Sequence, residues 1–333
     1  WAVTRILNIK EIEIRGLCDL REEAVKKNQE TLKNFNKRPA EEYFGDEYAW
    51  KKLCEQEDID LIYIATPWEW HTPIAVYAME CGKHVAVEVP AAKTLEECWQ
   101  LVETSERTKR HCMQLENCCY DFFEILTVNM VQQGLFGEVI HGEGAYIHEL
   151  LSGMFGEPQW PTWRWDENHK SGNPYPTHGL GPVCWAMNIN RGDKMEYLTS
   201  MSTDDFLMEA KAKELAAQND YYKPMAEMKY RGNMNTTTVR TTRGKTIMIQ
   251  HDVSTPHPYD RLHVLRGTKG SCRKYPEPGK IAFGHDYISP EKLAELEVQY
   301  TPEVVKHISE VAKIIGGHGG MDFIMDWRMI DCL

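Results

Sequence analysis

The run DLIYIATPWEWHTPIAVYAMECGKHVAVEVP, residues 60–90, decides the fold. It opens with Asp60 to Thr66, nearly all apolar, the composition of a strand buried on both faces. Pro67 to His71 (PWEWH) reads as a loop. Pro73 to Cys81 reads as a helix, stopped by Gly82. His84 to Val89 is a second apolar strand, closed by Pro90. Strand, helix and strand in this order make a βαβ unit. The same alternation continues outward. Upstream, Ile12 to Leu20 (IEIRGLCDL) reads as a strand, Arg21 to Phe35 as an exposed helix and Tyr48 to Glu57 as a short helix. Downstream, Thr94 to Lys109 is a helix with a capping-box start, T-L-E-E, and Met113 to Asn117 is a further short strand. The pattern predicts an α/β domain of Rossmann type, with a parallel sheet, over residues 1–119.

Parallel sheets of this kind bind ligands at the carboxyl ends of their strands. Asp19, Pro67 to His71, Glu88 to Pro90 and Asn117 all fall at such ends. An acid in the position of Asp19 accepts hydrogen bonds from an adenosine ribose, or caps the helix that follows. The other strand-end loops favour the ribose. No G-x-G-x-x-G precedes Asp19. Ala2 to Asn8 reads as the end of the helix such a loop would open, so the first strand and phosphate loop are expected upstream of the sequence, and Met321 to Leu333 reads as a helix cut short.

Composition narrows the function. The chain has 333 residues, 38 basic and 50 acidic, for a net charge of -12. That balance disfavours a nucleic-acid partner, which needs a basic groove. No run of about 18 apolar residues predicts a membrane span. WAVTRILNIK is not a signal peptide, and the compartment, cytoplasmic or exported, stays open. Ten cysteines form no C-x-x-C, and no H-E-x-x-H occurs, so no metal is expected.

After Tyr120 the pattern changes. Tyr120 to Gln133 is an amphipathic helix and Val139 to His148 a strand. Pro158 to Pro182 reads as a long irregular loop, a length usually kept for function. Leu207 to Lys229 is charged and partly helical. Thr236 to Thr242, Thr246 to Val253 and Leu262 to Gly267 read as antiparallel strands, and Ser289 to Gln299 and Val304 to Ile315 as helices.

Several groups here can hold a polar ligand. PYPTHGLGP, residues 174–182, sets Tyr175, Thr177 and His178 on a backbone constrained by Pro and Gly. Trp160, Trp163 and Trp165 offer flat rings to a sugar, or core packing. Arg164 lies among them. Tyr146 and His148 are two apart on a strand and share a face. Tyr259 follows another strand. A tyrosine acts as a base only if its pKa is lowered. GGHGG, residues 316–320, is poor for helix or core and suits a mobile loop that presents His318 as acid and base.

Together YIATPWEWHTP, HVAVEVPAA, LENCCYDFF, YPTHGLGPV and GGHGGMDF resemble glycoside hydrolase family 109, the NAD-dependent α-N-acetylgalactosaminidases. That family lies within the glucose–fructose oxidoreductase and inositol dehydrogenase superfamily. The resemblance runs from about Glu13 to the last residue. It implies a second, α+β domain over residues 120–333, built on a large, mostly antiparallel sheet. It implies that Asp19, Trp68, Glu69, Trp70, His71, Glu88, Val89 and Asn117 bind NAD. It implies that Tyr146, Arg164, Tyr175, Pro176, Thr177, His178 and Tyr259 hold a glycoside, with Tyr146, His178 and His318 catalytic. Dehydrogenases of the superfamily commonly carry E-K-P where this chain has Glu88, Val89 and Pro90. Losing that lysine fits the hydrolase branch better than a sugar or polyol dehydrogenase, the alternative reading. A non-catalytic sugar-binding protein is a third. A homo-oligomer is compatible with each.

Overall fold

The computed structural model describes residues 2–10, 12–159 and 161–333. It divides into two units. One comprises the residues up to Asn117 together with Val305–Leu333, and the other is Cys118–Val304.

In the first unit, strands β1 (Gly16–Cys18) and β2 (Glu41–Tyr43) pair in parallel. Strands β3 (Leu61–Ile64), β4 (His84–Val87) and β5 (Cys112–Gln114) form a second parallel sheet. The apolar strands are buried as their composition requires. Ile62, Ile64, Val85 and Val87 pack against Ile74, Ala75, Ala78 and Met79 of the helix His71–Glu80. The helix Leu95–Thr108 has the expected capping box. Thr94 accepts from the Glu97 amide, and the Glu97 side chain accepts from the Thr94 amide.

Sequence reading assigns residues 305–333 to the second domain. The contacts carry them back to the first, and the reason is a buried charge. Arg5 is 4% exposed, and Asp322 and Asp326 of the helix Met321–Asp331 are buried with it. Arg5 Nε donates to Asp326 at 2.5 Å, and one of its terminal nitrogens lies 3.4 Å from Asp322. Removing one partner of such a group leaves a buried charge uncompensated, at about 3–5 kcal/mol.

The second unit is built on a seven-stranded sheet in the order β12-β11-β10-β6-β9-β8-β7. The strands are β6 (Val139–Ile147), β7 (Met195–Ser202), β8 (Asn235–Thr241), β9 (Thr246–Asp252), β10 (Val264–Gly267), β11 (Ser271–Arg273) and β12 (Lys280–Ala282). All neighbours are antiparallel except β6 and β9. The helices Phe122–Gln132 and Thr177–Ala186 cover the core of this sheet with Leu126, Met130, Val183 and Ala186. Two findings depart from the sequence reading. PYPTHGLGP is not all irregular, since Thr177–Ala186 is helical with Pro182 inside it. Strand β7 gave no signal because nearly all its residues are exposed, so no alternation marks it. No helix among the described residues is long and apolar enough to cross a membrane.

Beneath the sheet end lies a buried four-charge network. One Arg261 nitrogen donates to Asp121 and to Glu124, both at 2.6 Å. Lys274 Nζ donates to Asp121 at 2.7 Å. Burial opposes ionisation of Asp121, but the two cations outweigh it and hold its carboxyl well below the usual range. The same cations act on His263, whose Nε2 lies 2.9 Å from the Thr127 hydroxyl. Burial first, then Arg261 and Lys274, push its pKa down to about 3. His263 is therefore neutral when folded and protonates near 6.5 when unfolded, so stability falls as pH drops below 6.5. Between pH 6.5 and 5 this one group removes about 2 kcal/mol. Thermal unfolding of His263→Gln across that interval is expected to show a flatter acid limb than the parent. An equally steep limb would refute the assignment.

Candidate functional site

The strand ends of the first unit gather most of the expected cofactor residues. Asp19 follows β1, where its Oδ1 accepts from the Arg21 amide at 2.9 Å. Trp68, Glu69 and Trp70 form a single 3-10 turn after β3. Glu69 is exposed and Trp68 half-buried. Trp70 turns into an aromatic group, with ring centroids 5.7 Å from Tyr48 and 6.3 Å from Trp50. Glu88 follows β4, and burial raises its carboxyl above the ordinary value. Val89 is buried beside it.

His71 has a different role from the one expected. It is 1% exposed, and its ring nitrogens lie 2.8 Å from the Pro90 carbonyl and 2.9 Å from the Thr66 carbonyl. It braces the loop after β3 against the loop after β4 rather than offering a ring nitrogen to a ligand. Thr66, which the sequence reading passed over, has a buried hydroxyl with no hydrogen-bond partner. A buried orphan of this kind marks a place for a ligand or a water. A carboxylate after β1, a hydroxyl after β3 and a second carboxylate after β4 suit the hydroxyl-rich face of a dinucleotide.

Asn117 and His318 converge on one carboxylate. Asn117 Nδ2 donates to Asp322 Oδ1 at 2.6 Å, and His318 Nδ1 lies 2.9 Å from Asp322 Oδ2. The glycines around His318 have steric reasons as well as flexibility. All five residues of GGHGG have positive φ, with His318 itself at 47°. A Cβ on Gly317 would come within 2.8 Å of the Asp322 carboxylate, and one on Gly320 within 2.9 Å of the Ala312 backbone.

In the second unit, a glycine-to-glycine contact builds the site. Gly144 of β6 and Gly179 of the helix Thr177–Ala186 meet backbone to backbone. A Cβ on Gly144 would lie 2.2 Å from the Gly179 carbonyl oxygen, and one on Gly179 would lie 2.2 Å from the Ala145 nitrogen. This approach sets His178, one residue before Gly179, over Tyr146. Around the Tyr146 ring stand His148 at 4.7 Å, Tyr175 at 5.0 Å, His178 at 5.2 Å, His251 at 6.0 Å and Tyr259 at 6.2 Å. His251 sits opposite Tyr146 in the β6–β9 ladder. Tyr259 is fixed by the paired backbone bonds of Asp260 with Ile147. Pro176 caps the helix, and its carbonyl accepts from the Leu180 amide.

Within this cluster the Thr177 hydroxyl, His148 Nε2, His251 Nδ1 and Asn173 Nδ2 are buried without hydrogen-bond partners. His148 and His251 flank the Tyr146 ring, Asn173 and Thr177 lie two residues either side of Tyr175, and buried polar atoms without partners there mark a place for a ligand or water. Arg164 is exposed, stacked 5.0 Å over Trp163, and its charge reaches Tyr146. Trp165 packs into a core cluster rather than offering a free face. Trp160 lies outside the described residues. A separate polar cavity of about 520 Å³ is lined by Ser200, Ser202, Asp204 and Arg231, among others, and holds none of the expected residues.

Electrostatics separate the roles. Burial pushes the Tyr146 phenol up to about 12, although the Arg164 charge opposes it. Tyr259 is raised too, again chiefly by desolvation. Neither phenol is a resting base, and both stay protonated as donors. Burial, then His178, lowers His148, and burial, then Arg231, lowers His251. Both imidazoles are neutral at pH 7 and can accept. His251, Asn173, Thr66 and Asp322 were not singled out in the sequence, whereas His148 was named there beside Tyr146. Only His148 carried a signal, its spacing from Tyr146.

Comparison with known proteins agrees with both halves. Residues 120–333 match the C-terminal domain of glycosyl hydrolase 109. Residues 5–115 match the oxidoreductase family with an NAD-binding Rossmann fold. The chain is 47% identical over 353 residues to a glycosyl hydrolase family 109 protein of Bacteroides fragilis, covering 100% of this chain and 74% of that one. It is also 47% identical over 339 residues to an alpha-N-acetylgalactosaminidase of Bacteroides fragilis, covering 99% and 78%. In structure it is similar to a levoglucosan dehydrogenase in complex with NADH, with a TM-score of 0.67 at 16% identity over 99% and 86% of the two chains. That likeness extends to the fold.

The glycine contact yields a prediction. Gly179→Ala forces a methyl into the β6 backbone, which overpacking places at a cost of about 1–3 kcal/mol or more. The melting temperature falls and ligand binding weakens, whereas Gly153→Ala, in open space, leaves both unchanged. Calorimetry of the two variants checks this.

Proposed function

Because the chain belongs to glycosyl hydrolase family 109, we propose that it removes terminal α-linked N-acetylgalactosamine from glycosides, with NAD as a recycled cofactor. The observation that supports this best is the Tyr146 cluster, where protonated phenols and neutral imidazoles surround buried polar atoms that lack partners. A hydroxyl-rich sugar supplies those partners.

Asp19, Thr66, Trp68, Glu69, Glu88, Val89 and Asn117 hold the dinucleotide in this reading, with Trp70 and His71 shaping the loops. Bound NAD⁺ would supply the hydride acceptor for C3 of the sugar and the donor that restores it, while the neutral His148 imidazole takes up the C3 hydroxyl proton and gives it back. A C3 ketone acidifies the C2 proton, so the chain must supply a base there and an acid at the leaving oxygen. His178, with His148 beside it, takes the C2 proton. Tyr146, Tyr175 and Tyr259 donate hydrogen bonds to sugar oxygens, and Arg164, Pro176 and Thr177 complete the cradle. His318 gives a proton to the leaving oxygen and then draws one from water. Water adds at C1, C2 is reprotonated, and the net reaction is hydrolysis without net oxidation. Val89 stands where a lysine serves hydride transfer in dehydrogenases, and its side chain moves no proton, which favours the hydrolase over the dehydrogenase.

The test is turnover of an aryl α-N-acetylgalactosaminide with NAD⁺ in heavy water. Released sugar is expected to carry one carbon-bound deuteron at C2, without net NADH. NADH accumulating with free sugar would identify a dehydrogenase instead. His178→Ala is expected to lower turnover by about 10²–10⁴-fold, the range for a lost acid–base group.

A further inference from the structure

We infer that Asp322 is the positioning residue of His318, fixing which ring nitrogen carries the proton and which one works. This rests on the reading of His318 as the acid–base group. The geometry stands without it. Asp322 is 1% exposed, yet its carboxylate meets three donors. Asn117 Nδ2 donates to Oδ1 at 2.6 Å, and His318 Nδ1 at 2.9 Å and Arg5 at 3.4 Å face Oδ2.

An amide N–H and a guanidinium can only donate, so Asp322 is held as an acceptor. Burial opposes ionisation of its carboxyl. The hydrogen bonds from His318 and Asn117 and the Arg5 charge outweigh that and hold it below the usual carboxylate range. An ionised acceptor requires a proton on His318 Nδ1. In the neutral ring, Nε2 then carries the lone pair, and in the imidazolium both nitrogens are protonated, with the charge held beside the carboxylate. His318 is 59% exposed on its side chain, so the working edge is accessible while the anchoring edge meets a buried group.

The loop is shaped around this contact. Gly317 lies so close to Asp322 that a Cβ would come within 2.8 Å of the carboxylate. The other charged or titratable groups around Asp322 already have defined partners. Asp326 pairs with Arg5, and the Tyr63 hydroxyl lies between Arg5, Glu88 and Asp326. Asn117 thereby acts on His318 through Asp322.

Two variants and two readouts test this on the full chain with NAD bound. In Asp322→Asn, the Asn117 amide keeps a carbonyl at the Oδ1 place, so the new NH2 takes the Oδ2 place that faces His318. The ring proton is expected to move to Nε2, which ¹⁵N NMR of the histidine reports directly. Turnover of an alkyl or sugar glycoside is expected to fall about 100-fold or more. An aryl glycoside whose phenol needs no proton loses less than about tenfold, and KM changes little. If Asp322→Asn fails to fold, Gly317→Ala pushes the loop away while leaving Arg5 with both its carboxylates, and the same split is expected. A His318 tautomer that does not change in either variant would overturn the proposal. A tautomer that inverts with no loss on any glycoside would overturn the catalytic reading of His318, and with it the claim that Asp322 serves catalysis.

Discussion

Arg5 cannot be buried alone. Its guanidinium carries a full charge at 4% exposure, and the carboxylates that answer it sit more than three hundred residues along the chain. This single requirement makes the first unit discontinuous. It draws residues 305–333 back from the end of the sequence and seats the helix Met321–Asp331 against residues that precede the first strand. Everything proposed for His318 depends on that return, because the same carboxylate that meets Arg5 meets Asn117 and His318. The ion pair is thus both a tie in the fold and the anchor of a candidate catalytic group. A charge pair rarely adds much net stability when both partners are buried, but it leaves the chain few other ways to close.

The second unit solves a different problem with sterics. A sheet and a helix normally keep side chains between them. At Gly144 and Gly179 there are none, and the backbones touch. The helix therefore starts low over β6, and Thr177 and His178 reach Tyr146 directly. Beneath the same end of the sheet, the Arg261, Lys274, Asp121 and Glu124 network holds the chain just after Tyr259. One side of the cluster is thus set by the absence of side chains and the other by four charged ones.

The parallel βαβ core was legible because buried strands have a distinctive composition, and Ile62, Ile64, Val85 and Val87 proved to be core residues. The candidate site was legible where chemistry and unusual backbone coincide, as at Tyr175 to His178 and at GGHGG. Other parts left no mark in the sequence. Strand β7 is exposed along nearly its whole length, so it lacks period-two alternation. The helix Thr177–Ala186 contains Gly and Pro, which read as breakers, yet close packing rather than propensity decides its form. His71 looked like a ligand group and is a brace, since both ring nitrogens meet backbone carbonyls. Asp322 and His251 have no local signature, because their partners come from distant segments.

The discontinuity of the first unit also sets an order of assembly. The second unit is one continuous segment, Cys118–Val304, and every strand of its sheet has been made before Val305 leaves the ribosome. The first unit begins earlier but cannot neutralise Arg5 until Asp322 and Asp326 have emerged. Its closure spans a separation of 317 to 321 residues, the kind of non-local contact that forms late. The part of the chain translated first is therefore the part completed last, and a ribosome stalled between Val305 and the final helix carries a complete second unit while the first is still open.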